Sequence, residues 1–242
     1  MREEITFAQK VMQFNECLSN VSIKLPKGFK IINPFNGDEN ELVNSVTKTF
    51  YKKFYNDRNK RRLILGSSPA RRGTAVTGVP FEDAVHLQKI TGILIDKFYV
   101  NKSSSGFLYD VMEKYGGCKK FYSDFYMNFV CPVGIVKINS KGNWVNCNYY
   151  DSKEIQEALY PLIIYSIKTQ INFGIDTSVC YCIGSGENYN FMSKINDKYH
   201  FFEKIIPLEH PRFVMQYNLK RKDEFSLKYL NALRNNYDMN NK

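Results

Sequence analysis

Apolar residues recur at helical spacing over residues 3–18 (Ile5, Phe7, Val11, Met12, Phe14) and 39–57 (Leu42, Val46, Phe50, Phe54), so both segments read as amphipathic helices. The second follows Asn36, Gly37 and Asp38, a turn and helix-start signal. The compact run Arg62 to Leu65 is a short buried strand. Val85, Leu87, Ile90, Ile93 and Leu94 trace a further helix within Glu82–Lys97, with Asp83 near its start, where a carboxylate suits the helix dipole. Phe125 to Ile138 is dense in apolar residues, but Asn128, Cys131, Pro132 and Gly134 punctuate it, which ends the strand near Asn128 or Phe129.

After a loop over Asn139–Tyr150, the pattern predicts a long helix at Ser152–Phe173 and a third buried strand at Thr177–Gly184. A helix near Asn188–Lys198 leads to a fourth apolar run, Lys204–Leu208, and a terminal helix spans Asp223–Asn235. Short apolar strands separated by helices imply an α/β fold, three layers deep (α/β/α), around a short, mainly parallel four-stranded central sheet. Right-handed crossovers then gather the polar and glycine-rich strand ends along one edge. No repeat or linker interrupts the chain, and a single domain is predicted over residues 1–242, with an N-terminal helical part (1–60), a core (62–217) and a C-terminal helix (222–235).

Composition adds a partner class. The formal net charge is +10, and basic residues cluster at Lys52, Lys53, Arg58, Lys60, Arg61 and Arg62, at Arg71 and Arg72, at Lys119 and Lys120, and at Lys220 to Lys222. Such an excess favours a polyanion, nucleic acid first and an anionic membrane surface second, against the plainer reading of a solvated basic face. The six cysteines form no CxxC pair, and His86, His200 and His210 have no metal-ligand spacing with them. Reduced thiols and no structural metal are therefore expected. With no signal peptide and no apolar run of spanning length, the expectation is a soluble, cytoplasmic protein.

The stretch GSSPARRGTAVTGVPF, from Gly66 to Phe81, follows the first buried strand and carries three glycines, two prolines and two adjacent arginines. Taken alone it is a surface loop. Its place at a strand's carboxyl end, and a backbone without bulky side chains, also suit close approach of a flat or phosphorylated ligand. Together with MNFVCPVG and EHPRFVMQY, it resembles the three motifs of the uracil-DNA glycosylase superfamily, in order and at strand ends over residues 62–217. The likeness is closest to the single-strand-selective monofunctional branch and its bacterial relatives.

The resemblance implies a DNA-repair glycosylase that extrudes uracil or a related deaminated base and hydrolyses its N-glycosidic bond, as a monomer, without cofactor or metal. Phe81 matches the phenylalanine on which the base stacks, and Asn128 the asparagine that reads its Watson–Crick edge. His210 matches the histidine that bonds the base's carbonyl oxygen. Gly66 and Ala70 belong to the substrate-facing loop, Ala70 replacing a glycine. Arg71, Arg72, Pro211, Arg212 and Phe213 fall in segments that meet DNA. Ser68 stands where the family has an asparagine or aspartate that positions the attacking water, which implies slow excision. Two other readings remain open: a nucleic-acid-binding protein that keeps the pocket, and a small-molecule hydrolase on the same fold.

The chemistry fits those residue types. An extruded base must recover the few kcal/mol that unstacking costs, and an aromatic face returns about 1–3 kcal/mol. An amide offers a donor and an acceptor side by side, which match uracil O4 and N3–H, whereas cytosine presents the reverse order. A fixed donor at the departing base's O2 stabilises the negative charge that collects there.

Overall fold

The computed structural model describes residues 5–37, 40–95 and 102–235. The helices are α1 (Phe7–Ser19), α2 (Asn40–Tyr55), α3 (Thr74–Thr77), α4 (Ala84–Thr91), α5 (Lys102–Tyr115), α6 (Cys118–Asp124), α7 (Lys153–Ile171), α8 (Glu187–Tyr199), α9 (Pro211–Tyr217) and α10 (Lys222–Asn235). The strands are β1 (Phe29–Ile32), β2 (Arg61–Gly66), β3 (Phe125–Phe129), β4 (Gly134–Ile138), β5 (Trp144–Cys147), β6 (Ile175–Ile183) and β7 (Lys204–Leu208). The first two residues of the helix expected from residue 3, Asp38 of the turn signal, and Lys97 lie outside the described residues.

Four strands form a parallel sheet in the order β3-β2-β6-β7. Every residue of β2 and β3 is buried, which explains why both read as apolar runs without alternation. Consecutive side chains of β3 point to opposite faces. Tyr126 packs edge-on against Phe7 of α1 and Tyr55 of α2. Phe125 instead meets Tyr115 of α5 and Phe121 of α6. Tyr181 of β6 reaches α10, donating to the Ala232 carbonyl at 3.2 Å. Helices thus flank the sheet on both faces, as the pattern required.

Three expectations change. The helix after Phe81 stops at Thr91, because Gly92 takes a left-handed conformation (φ 73°) and its N–H closes the last turn on the Gln88 carbonyl, leaving Ile93 and Leu94 beyond the end. The span read as a loop at residues 139–150 contains β5, which pairs with β4, itself paired with β1, in a second, antiparallel sheet. Two helices, α5 and α6, fill a region to which the apolar spacing assigned nothing.

Arg61 and Arg62, counted in the basic cluster, are buried at the start of β2. The Arg61 guanidinium takes both Asp57 oxygens at 2.8 Å and the Tyr122 carbonyl at 2.8 Å. Arg62 donates to the Tyr181 hydroxyl at 3.1 Å and to the Leu233 carbonyl at 3.0 Å. A buried charge persists only when it is paired in this way, so these two arginines hold the fold together and offer no charge to a polyanion. Among the described residues no helix is long and apolar enough to cross a membrane.

Candidate active site

The four parallel strands end almost level. Leu65 pairs with Asn128 on one side and with Cys182 on the other, and Cys182 pairs with Pro207. Residues just past that row share the sheet's carboxyl edge, where open α/β sheets bind ligands. The edge carries the loop after Gly66, with Ser68, then Asn128, the turn at Gly184 and His210. Strands β3 and β7 are three positions apart in the sheet, about 14 Å at the usual spacing. A ligand that touches both Asn128 and His210 therefore lies across the ends of β2 and β6.

The motif loop is tied down at several points. Val130 N–H donates to the Gly66 carbonyl at 2.8 Å and Cys131 N–H to that of Ser67 at 2.9 Å, carrying the β2–β3 pairing past the strands. Ser67 Oγ donates to Asn148 Oδ1 at 3.3 Å, and Arg71 N–H to Asn146 Oδ1 at 2.9 Å. Gly73 and Ala75 N–H groups turn back onto the Ala70 carbonyl. Ser68 is half-buried within this turn, whereas Ala70 and Arg72 are exposed.

Phe81 explains the glycine. Its backbone is left-handed, with φ 63°, an outlier for a bulky residue, and its N–H is held by Thr74 Oγ1 at 3.2 Å. The ring stacks on Phe129, centroids 5.0 Å apart and planes at 26°. A β-carbon on Gly66 would sit 2.5 Å from Phe81 Cζ. Gly66 thus makes room for the aromatic ring at the end of β2.

Asn128 is buried, and its amide is held from two sides. Phe129 N–H donates to Oδ1 at 2.9 Å, while Nδ2 donates to the Tyr126 hydroxyl at 2.8 Å. An N–H can only donate, so the atom facing Phe129 is the oxygen and the amide cannot be turned over. Among the described residues, one lone pair and one N–H of the amide remain uncommitted. Asn128 also lines a cavity of about 10 Å³ with Asn15, Thr74 and Phe129, room for about one water beside the amide. Asn15 on α1, also buried, has an Nδ2 with no hydrogen-bond partner among the described residues.

His210 is the N-cap of α9, and its Nδ1 accepts from Arg212 N–H at 3.1 Å. Burial, and then the Arg212 charge, push its pKa down to about 4. At neutral pH the ring is uncharged, and because Nδ1 accepts, the proton sits on Nε2. Pro211 is buried at the first helical position, where its fixed φ suits a helix start, so it shapes the turn and presents no outward wedge. Arg212 and Phe213 are exposed, and Phe213 neighbours Tyr217, which is 75% exposed.

The two carboxylates after Phe81 face the helices. Glu82 is 3% exposed, accepts from the Tyr122 hydroxyl, and has its pKa raised to about 8 by burial and by Asp83. Asp83 caps α4 through His86 N–H at 3.0 Å and also accepts from Ser105 Oγ at 2.7 Å and His86 Nδ1 at 2.8 Å. Although burial opposes it, these bonds hold its pKa below the ordinary value.

Sequence reasoning passed over Tyr126, Asn15, Asn146 and Asn148. The alternation Trp144, Asn146, Asn148 against Val145, Cys147, Tyr149 is a strand signal, and it places both asparagines on one side. Tyr126 precedes Asn128 by two positions and so shares its face of β3. Nothing local distinguishes Asn15, whose burial depends on α1 packing beside the motif loop.

Comparison with known proteins gives three results. The family model described as the uracil DNA glycosylase superfamily matches residues 52–234. A crystal structure of wild-type SMUG2 from Pedobacter heparinus is similar over 99% of this chain and 100% of that one, at 41% sequence identity and a TM-score of 0.90. No curated protein matches.

Proposed function

Since this chain belongs to the uracil-DNA glycosylase superfamily and is a DNA glycosylase, we propose that it flips uracil or a related deaminated base out of DNA and hydrolyses the N-glycosidic bond, with no covalent enzyme intermediate. The observation that carries this reading is the amide of Asn128, fixed in orientation at the sheet's carboxyl edge. Its remaining acceptor and donor suit a base edge with N–H beside C=O, and oppose cytosine, which presents the reverse.

The bond to the base breaks ahead of water attack, through an oxocarbenium-like sugar. The bonding electrons pass to the base and collect on its ring nitrogen and O2. His210, uncharged and carrying its proton on Nε2, donates a hydrogen bond to that oxygen. A water then bonds to the sugar carbon and gives up a proton, which the base anion takes. Phe81 stacks on the extruded base with its ring seated over Gly66, so that glycine serves the base through the ring and not by direct approach, while the Ala70 turn lets the base come near the backbone. Arg71, Arg72 and Arg212 neutralise phosphates, and Phe213 lies against the strand on α9. Ser68 holds the water but cannot accept its proton as aspartate does, so the enzyme is slow.

The test uses purified protein with labelled oligonucleotides carrying uracil, xanthine or hypoxanthine, single- and double-stranded, followed by alkaline cleavage of abasic sites. Weak excision by the wild type, at least roughly tenfold faster excision by Ser68→Asn, and near-background excision by His210→Ala are expected. DNA binding with no excision by either wild type or Ser68→Asn would favour a binding protein that retains the pocket, the reading for which Ser68 is the specific evidence.

A further inference from the structure

We infer that Tyr126 is a positioning residue for base recognition: its hydroxyl takes one N–H of the Asn128 amide, leaving a single donor and a single acceptor to face the base. The inference rests on the glycosylase reading for its functional meaning and on geometry for its mechanism. Tyr126 and Asn128 are two residues apart on β3, so both side chains project from the same face of the sheet. Tyr126 is fully buried between α1 and α2, with its ring against Phe7 and Tyr55. That packing leaves the phenol little freedom, and its oxygen lies 2.8 Å from Asn128 Nδ2.

An asparagine amide has two N–H donors and two acceptor lone pairs. At Asn128 the backbone of Phe129 takes one lone pair and Tyr126 takes one N–H. Phe129 determines which end of the amide is oxygen. It does not determine how far the amide plane tilts about its last rotatable bond, a broad and soft torsion. The second anchor, at the other end of the amide, removes that freedom. Burial pushes the Tyr126 pKa far up, so the phenol stays protonated and neutral beside the amide. A charged phenolate there would pull Nδ2 toward itself and away from the base.

A lactam edge asks for one donor and one acceptor in a single plane. With the plane held beforehand, binding spends no energy on ordering the amide, and the advantage appears in the transition state, where the hydrogen bonds tighten as charge builds on the base. Tyr126 touches no substrate and acts only through Asn128.

The experiment is a double-mutant cycle of Tyr126→Phe and Asn128→Ala, read as single-turnover excision of uracil, together with the side-chain amide signals of Asn128 by NMR in the Tyr126→Phe protein. Tyr126→Phe removes only the hydroxyl. It should slow excision about fivefold to tenfold, the worth of one net hydrogen bond, and should add less than twofold when Asn128 is already alanine. The Asn128 Nδ2 protons should exchange faster with water in Tyr126→Phe. An equal loss in both backgrounds would place the effect of Tyr126 in the fold and overturn the inference, as would unchanged excision in an active enzyme. If the wild type excises no base the functional reading fails instead, and the NMR result alone then decides whether Tyr126 holds the amide, with unchanged exchange counting against it.

Discussion

Gly66→Ala places a methyl group where the structure has none to spare. The added carbon would lie 2.5 Å from Phe81 Cζ and 3.0 Å from Phe129 Cδ1, inside ordinary van der Waals contact for both rings. Backbone conformation is not the obstacle, since Gly66 is not among the left-handed glycines. The cost is overpacking, about 1–3 kcal/mol, and it falls first on Phe81, whose backbone is already strained at φ 63°. For a chain of this size each kcal/mol lowers Tm by about 2–4 °C, so a drop of roughly 2–12 °C is expected, measured by thermal melts followed by circular dichroism. Excision should fall as well, because the ring is pushed off the end of β2. The double variant Gly66→Ala, Phe81→Ala removes the nearer clash and leaves only Phe129. It should be more stable than the sum of the single effects by at least about 1 kcal/mol. Strict additivity, or a Gly66→Ala protein as stable as the wild type, would show that the ring does not sit over the glycine.

Two further predictions concern pH, and they run in opposite directions. His210 has a folded pKa of about 4 against an ordinary 6.5, so the unfolded chain binds more protons between those values and stability falls as pH drops through them. His210→Asn keeps a capping side chain and should remove about 2 kcal/mol of the loss between pH 7 and 5, seen in urea melts; an unchanged slope would show that His210 is not held neutral. Glu82, with a folded pKa of about 8 against 4.5, binds more protons when folded, so its contribution is complete below pH 4.5 and lost as pH rises toward 8. Glu82→Gln should therefore gain on the wild type by about 2 kcal/mol between pH 5 and 7, and a constant difference across that range would mean Glu82 is ionised in the folded protein.

Much of this protein is written in short stretches of its chain. The apolar runs at β2, β3, β6 and β7 announce a buried sheet because a strand covered on both faces must be apolar along its whole length. Asn128 and His210 stand out in the chain because each lies at or just past the end of such a run, and Phe81 because it closes the motif that begins where β2 ends. Tertiary structure decided the rest, since burial and pairing depend on which segments meet. Arg61 and Arg62 look like surface charge until Asp57 and the carbonyls of Tyr122 and Leu233 surround them. The span at residues 139–150 looks like a loop until β4 lies beside Trp144–Cys147 and supplies its hydrogen bonds, because an antiparallel edge strand with one wet face needs little apolar content of its own. The amide of Asn128 follows the same logic. Its residue type comes from the sequence, but its orientation comes from Tyr126 and Phe129, and only packing against α1 and α2 puts the Tyr126 hydroxyl where it can hold that amide in place.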